Sequence, residues 1–223
     1  MKKESLKAKK ARAAEIVAAL EELYPSAECA LEYNGDPWRL LVMARLSAQC
    51  TDARVNIVSK ELFCQFPTLE AVADADLSAL EEAVRPCGLY KTKAKSIKET
   101  AAILVRDYGG EVPHTMDELL ALPGVGRKTA NLILGDIYNT PGSVVADTHC
   151  IRICGRLGLS HGKDPVKVEQ QLRTILPPEE SSDFCHRIVL FGRDCCTARS
   201  PKCAQCPLSM FCTEFIPLDV TSK

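Results

Sequence analysis

The sequence predicts an all-α fold, and three observations carry that prediction. Apolar residues recur at helical spacing from end to end, no alternating run bounded by turn residues reads as a strand, and helix-start signals stand where the helical spacing begins. A first helix is expected over 10–23. Asp36-Pro37 then pairs a capping carboxylate with proline at the first helical position, where its missing N–H costs nothing, and opens a helix over 37–47. Helices over 53–65, 69–74 and 77–84 follow. Segment 90–107 sets Ala94, Ile97, Ala101 and Leu104 on one side and Lys91, Lys95 and Lys98 on another, which predicts an amphipathic helix with a basic face. Thr115-Met116-Asp117-Glu118 fits a capping box. Helices over 129–138, 148–157, 165–176 (opened by Asp164-Pro165) and 183–192 complete the series.

With 223 residues and 46% hydrophobic content, the chain can bury a core as one large domain or two smaller ones. No apolar run approaches the roughly 18 residues needed to span a bilayer. The basic start leads into AEIVAALEEL rather than an apolar signal core, so no membrane association and a cytoplasmic location are expected. Twelve cysteines in a long helical chain of this kind are expected as reduced thiols or metal ligands, not as a disulfide scaffold. A net charge of -1 points to no nucleic-acid partner. Charge is unevenly spread, however: Arg85, Lys91, Lys93, Lys95, Lys98 and Arg106 face a single acid, Glu99, while 68–82 carries only acids. Such runs are ordinarily solvated helix faces.

Leu122-Pro123-Gly124-Val125-Gly126-Arg127-Lys128-Thr129-Ala130-Asn131 lies between two expected helices. Proline and paired glycines stop the first helix and permit a tight hairpin. Without side chains at Gly124 and Gly126, backbone N–H groups can approach a phosphate, toward which the second helix also points the positive end of its dipole. An ordinary helical corner is the plain alternative for a bare Gly-x-Gly.

The decapeptide resembles the helix-hairpin-helix of the endonuclease III family of DNA glycosylases. Leu46-Ser47-Ala48-Gln49 with Thr51-Asp52, Gly88-Leu89-Tyr90 with Lys93-Ala94, and Val145 with Asp147-Thr148-His149 resemble further family segments in family order. The resemblance implies a two-lobed fold: a six-helix barrel over 30–140 containing the hairpin at 116–138, and a discontinuous lobe of 1–29 and 141–223 with DNA bound in the cleft between. It also implies a monomeric base-excision repair enzyme that removes oxidised pyrimidines from double-stranded DNA and cleaves the abasic site by β-elimination.

By the same resemblance Lys128 is the nucleophile and Asp147 the catalytic carboxylate, nineteen residues on. A lysine nucleophile must be neutral. Bringing an ordinary lysine from about 10.4 to near 7 takes more than about 4 kcal/mol, while a helix N-terminus supplies about 0.3 to 1 kcal/mol. Desolvation by DNA and the neighbouring Arg127 act in the required direction, whereas a carboxylate favours the charged amine. Asp147 is therefore read as an acceptor of the amine's proton and a stabiliser of positive charge on the sugar, seated as a helix N-cap.

Gln49 and Leu89 match the positions that fill the gap left by an extruded nucleotide, which costs a few kcal/mol to flip. Lys93 is expected to contact phosphate, and His149 to be a DNA-side or orienting residue. Cys196, Cys203, Cys206 and Cys212 form C-x6-C-x2-C-x5-C, a metal pattern whose spacing leaves zinc and iron–sulfur open. The resemblance implies a [4Fe–4S] cluster, with Arg199 and Lys202 in its loop suited to phosphate. Cys195 competes with Cys196 but breaks the x6 spacing. Cys150, Cys154 and Cys185 are expected in the core, and Cys50 beside Gln49 predicts that thiol reagents impair DNA binding.

Two other readings remain at this level. Mismatch-specific monofunctional relatives lack lysine at the hairpin position, and the adenine-specific ones carry a C-terminal domain beyond the length seen here. A non-catalytic hairpin protein leaves Asp147 and Gln49 without a task.

Overall fold

A computed structural model describes residues 4–214, and among them there is no β-strand. Eleven α-helices are described: α1 Leu6–Leu23, α2 Pro37–Leu46, α3 Asp52–Gln65, α4 Leu69–Asp74, α5 Leu77–Val84, α6 Tyr90–Tyr108, α7 Met116–Ala121, α8 Arg127–Asp136, α9 Thr148–Arg156, α10 Pro165–Arg173 and α11 Ser181–Asp194. Among the described residues no helix is long and apolar enough to cross a membrane.

Local signals explain the boundaries. Asp36 and Asp164 cap α2 and α10 as their sequences suggest, and the Thr115 side chain accepts from Glu118 N to open α7. Helix α1 starts four residues before the expected position because Ser5 caps it, its hydroxyl accepting from Ala8 N at 3.2 Å. Helix α8 starts two residues early because Gly126 serves as its N-cap and its carbonyl accepts from Ala130 N. Helix α6 ends where Gly109 takes φ 61°, a left-handed turn that glycine adopts without a Cβ penalty.

The chain divides into two compact units. One joins Met1–Glu28 to Asn139–Lys223, and the other is Cys29–Tyr138. In the first, Ile16 and Leu20 of α1, Ile153 of α9 and Phe184, Ile188 and Phe191 of α11 form a buried core. In the second, α2 to α8 surround Leu40, Leu46, Leu62, Leu80, Leu104, Leu119 and Ile133. Each such side chain contributes about 1.5–3 kcal/mol relative to exposure.

Helix α6 organises the second unit, packing on α2, α4 and α5. Ala94, Ile97, Ala101 and Leu104 lie in the core as the periodicity predicts. The basic face divides: Lys91 and Lys95 are exposed, but Lys98 turns back to donate to the carbonyls of Ala73 and Ala75. These carbonyls lie at the C-terminus of α4, where helix geometry leaves them unsatisfied and the dipole favours a cation. Lys98→Met should therefore lower unfolding stability by about 1 kcal/mol in denaturant titrations, a helix-terminus effect. An unchanged midpoint would show that water serves those carbonyls equally well.

Candidate functional site

The glycine hairpin of the second unit joins α7 to α8. Val125 N donates to Leu122 O at 3.1 Å, and Gly124 takes φ 75°. A Cβ at Gly124 would lie 2.6 Å from Arg45 Nε, so both the backbone angle and the packing demand glycine there. Gly126 differs. Nothing lies within 4 Å of a Cβ built on it and its φ is -104°, so the protein's own packing leaves room for a Cβ. As the N-cap it gives α8 no side-chain acceptor, and the first amides of α8 stay open to an external anion. Lys128 is the second residue of α8 and is exposed; Arg127 before it is half-buried.

Two further segments of this unit hold residues in the left-handed region. Among the described residues four non-glycines have positive φ: Asn34, Gln49, Leu89 and Asn139. Asparagine tolerates this region, whereas glutamine and leucine do so at a cost of about 1–3 kcal/mol unless their surroundings impose it. Gln49 (φ 55°) and Leu89 (φ 48°) are both exposed, Leu89 at 56%.

Lys93 does not reach solvent, and its expected phosphate contact is not made. Its side chain is fully buried, and Nζ donates to Leu46 O and Cys87 O at 2.8 Å each. A lysine counted on a basic face by sequence position is here a cation holding two backbone carbonyls. Burial pushes it below the ordinary lysine value, an effect that Arg45 increases and that the Cys87 and Cys50 thiols oppose. Cys87 is itself pushed up to about 11 by burial and by its contact with Cys50.

In the first unit, Asp147 caps α9, its Oδ1 accepting from Cys150 N at 2.7 Å. The carboxylate is half-buried and keeps an acceptor oxygen beyond that bond. His149 is half-buried on the first turn, its Nδ1 3.3 Å from Arg152 Nη2. A Cβ on Gly192 of α11 would come within 2.5 Å of that nitrogen, so this edge of the ring packs on the α11 backbone. Cys150, Cys154 and Cys185 are buried beneath the cap. Hydrogen bonds among these thiols, together with burial, hold Cys150 and Cys185 well above the ordinary thiol value.

The far end of α9 grips the cysteine loop. Arg156 donates from Nη1 to Cys196 Sγ at 3.2 Å and Thr197 O at 2.9 Å, while its own carbonyl accepts from Thr213 N at 2.8 Å. One residue thus fastens both ends of the loop. Cys196, Cys203, Cys206 and Cys212 line a single cavity of about 90 Å³, several times the room a water needs. None of the twelve cysteines is in a disulfide, and among the described residues no three metal-ligating side chains are grouped around a single-ion position. Four thiols ringing a cavity suit a multinuclear cluster, in which each sulfur binds its own iron, better than one tetrahedral zinc. Cys195 also touches the cavity, but Cys196 is the thiol that accepts from Arg156 and keeps the x6 spacing. Arg199 and Lys202 are exposed on this loop; Lys202 pairs with Asp194 at 3.4 Å, an exposed contact worth little.

Arg152, Arg156 and the buried role of Lys93 are absent from the sequence reading. The available signal was spacing: Arg152 and Arg156 stand four apart on α9, and Lys93, Ser96 and Thr100 form a polar stripe beside the apolar one on α6.

A family model described as HhH-GPD superfamily base excision DNA repair protein matches residues 42–178, and one described as iron-sulfur binding domain of endonuclease III matches 196–212. The chain is similar to endonuclease III of Synechocystis sp., with 43% identity over 92% of this chain and 93% of that protein. It is also similar to endonuclease III of Bacillus subtilis, with 44% identity over 86% and 88%. Among solved structures, a trapped endonuclease III–DNA covalent intermediate has a TM-score of 0.86 at 41% identity, covering 92% of this chain and 96% of that one.

The cavity leads to a direct test. Protein purified without air should be brown and carry about four irons and four sulfides per chain, as a [4Fe–4S] cluster requires; a colourless protein holding only zinc would overturn the assignment.

Proposed function

The chain belongs to the endonuclease III family of base-excision DNA repair enzymes, and we propose that Lys128 is its attacking nucleophile. It is a bifunctional DNA glycosylase and abasic-site lyase acting on double-stranded DNA with damaged pyrimidines or abasic sites. We read it as a DNA-associated cytoplasmic enzyme that works as a monomer. The observation that carries the reading is Lys128, exposed on the first turn of a helix whose N-terminal amides have no side-chain cap.

Binding begins at the hairpin. Gly124 shapes the turn, and Gly126 leaves the α8 amides bare to take a phosphate, with Arg127 adding charge. This grip ignores sequence, as a lesion-searching enzyme requires. The damaged nucleotide then leaves the stack, Leu89 wedging the gap and Gln49 bonding the orphaned partner base. Their exposure and left-handed backbones support this reading, since strain of that kind persists where a site uses it.

The Lys128 amine, desolvated as DNA covers it, attacks the sugar C1′ while the glycosidic bond breaks and the base departs with the bonding pair. Asp147 takes up the proton that the amine sheds and stabilises positive charge on the sugar. Its N-cap bond to Cys150 N fixes the carboxylate's orientation, and His149 and Arg152 steady the helix that carries it. The sugar opens to a Schiff base on Lys128, and β-elimination breaks the bond to the 3′ phosphate. Cys196, Cys203, Cys206 and Cys212 hold the [4Fe–4S] cluster, which supplies one-electron redox chemistry when bound. Base excision and strand cleavage are proton and group transfers, so for these steps the four cysteines act by shaping the loop that presents Arg199 and Lys202.

Gly126→Ala should keep the wild-type melting temperature while weakening duplex binding about tenfold, as expected when one backbone–phosphate hydrogen bond to a charged group is lost. Gly124→Ala should instead lose more than about 1 kcal/mol of stability from its left-handed angle. Unimpaired binding by Gly126→Ala would remove the hairpin from the interface. Borohydride should trap a covalent adduct with DNA containing an oxidised pyrimidine, and Lys128→Gln should abolish it; an adduct surviving that change would refute the nucleophile. Asp147→Asn should bind DNA normally and turn over at least about 100-fold more slowly, the scale of a lost acid–base group.

A further inference from the structure

The loops bearing Gln49 and Leu89 share one buried cation. Leu46 is the last residue of α2, three positions before Gln49, and Cys87 ends the short 3-10 turn Arg85–Cys87, two positions before Leu89. Both carbonyls accept from Lys93 Nζ at 2.8 Å. Each belongs to a helical C-terminus, where carbonyls lack intrahelical partners and a cation is favoured. The Lys93 backbone adds to the same construction. Its N–H donates to Leu89 O at 3.0 Å, and its carbonyl accepts from Ser96 Oγ at 3.0 Å. Ser96 Oγ in turn accepts from Arg45 Nε of α2 at 2.8 Å. One turn of α6 therefore holds the end of α2 at two points and the start of the Leu89 segment at two more.

A buried ammonium is a poor means of adding stability, because an apolar side chain of similar volume fills such a space without desolvation cost. What it offers is geometry. Three donors on one nitrogen fix two carbonyls at a set separation, which methionine or leucine cannot do. Of the described residues in the left-handed region, the two that are neither glycine nor asparagine lie on these loops, and both are exposed. Helix α6 also begins at Leu89 without a side-chain cap, so local sequence alone does not fix that turn.

We propose that Lys93 is a positioning residue for nucleotide extrusion, its ammonium setting the spacing of the Gln49 and Leu89 loops so that both side chains enter the duplex together. The proposal rests on the reading of Gln49 and Leu89 as the residues that fill the gap. It replaces the phosphate contact expected from sequence with a role the buried side chain can perform. Displacement of the loops by about 1 Å is enough to slow a positioned reaction about 100-fold.

The test is single-turnover excision by the cluster-loaded enzyme on two duplexes, one with an oxidised pyrimidine opposite a normal base and one with the same lesion in a one-nucleotide bulge. The bulged lesion has no partner base to orphan and little stacking to replace. Lys93→Met should slow excision of the paired lesion by about 100-fold, leave affinity for undamaged duplex within about twofold, and recover most of the rate on the bulge. In a Gln49→Ala, Leu89→Ala background the same substitution should add less than about threefold, because residues acting as one unit are not additive. Equal loss on both duplexes, or a full additional loss in that background, would overturn the positioning role. If the Gln49→Ala, Leu89→Ala protein itself excises the paired lesion normally, the gap-filling reading fails first and carries the proposal with it. Should Lys93→Met not fold, Lys93→Gln, which keeps an amide donor, enters the same cycle with the same expected pattern at smaller amplitude.

Discussion

The second unit depends on a buried polar stripe along α6. Lys93, Ser96 and Thr100 lie at spacings of three and four, so they share a face, and all three are almost wholly buried. Lys93 holds the ends of two loops, Ser96 meets Arg45 of α2, and Thr100 Oγ1 donates to Pro123 O of the glycine hairpin at 3.2 Å. Every segment of this unit assigned to DNA is thereby tied to one helix. Buried polar groups tolerate few alternative arrangements because each unmet bond costs about 1–3 kcal/mol. The apolar stripe next to it, through Ala94, Ile97, Ala101 and Leu104, provides the stability on which that constraint operates.

Helix α9 has the corresponding place in the first unit. At one end Asp147 is fixed by its bond to Cys150 N, and at the other Arg156 clasps both ends of the cysteine loop. Three buried thiols and Gly192 let α9 lie close against α11, since the His149 ring occupies the space a side chain at 192 would take. A single short helix thus connects the orientation of a carboxylate to the integrity of the cysteine loop.

The two glycines of the hairpin show how packing and function separate. Gly124 is required by φ 75° and by Arg45, whatever the protein binds. Gly126 has open space and an ordinary backbone angle, and its place in the fold is that of the α8 N-cap, a position glycine favours. With glycine as its N-cap, α8 has no side-chain acceptor for its first amides. The same contrast distinguishes Asn34 and Asn139, which accept left-handed angles easily, from Gln49 and Leu89, which do not.

By itself the sequence determined the helices, because capping residues, proline and 3.6-residue periodicity act within a few positions of one another. Asp36, Thr115 and Asp164 cap the helices they precede; α1 and α8 start early because Ser5 and Gly126 cap less conspicuously, α10 ends three residues early at Arg173, and α11 extends two residues at each end to Ser181–Asp194. The family was legible for a similar reason: the hairpin, the Asp147 segment and the four cysteines are short, continuous motifs. Tertiary structure alone decided what long side chains do. Lys93 and Lys98 share a helix with the exposed Lys91 and Lys95, yet both turn inward to carbonyls contributed by other segments. A four-carbon stem lets a charge travel far from its helical position, and its destination depends on which carbonyls the fold leaves unsatisfied nearby. Arg156 was hidden for the same reason, its partners lying some forty residues away in sequence, and no local spacing records a bond across that distance.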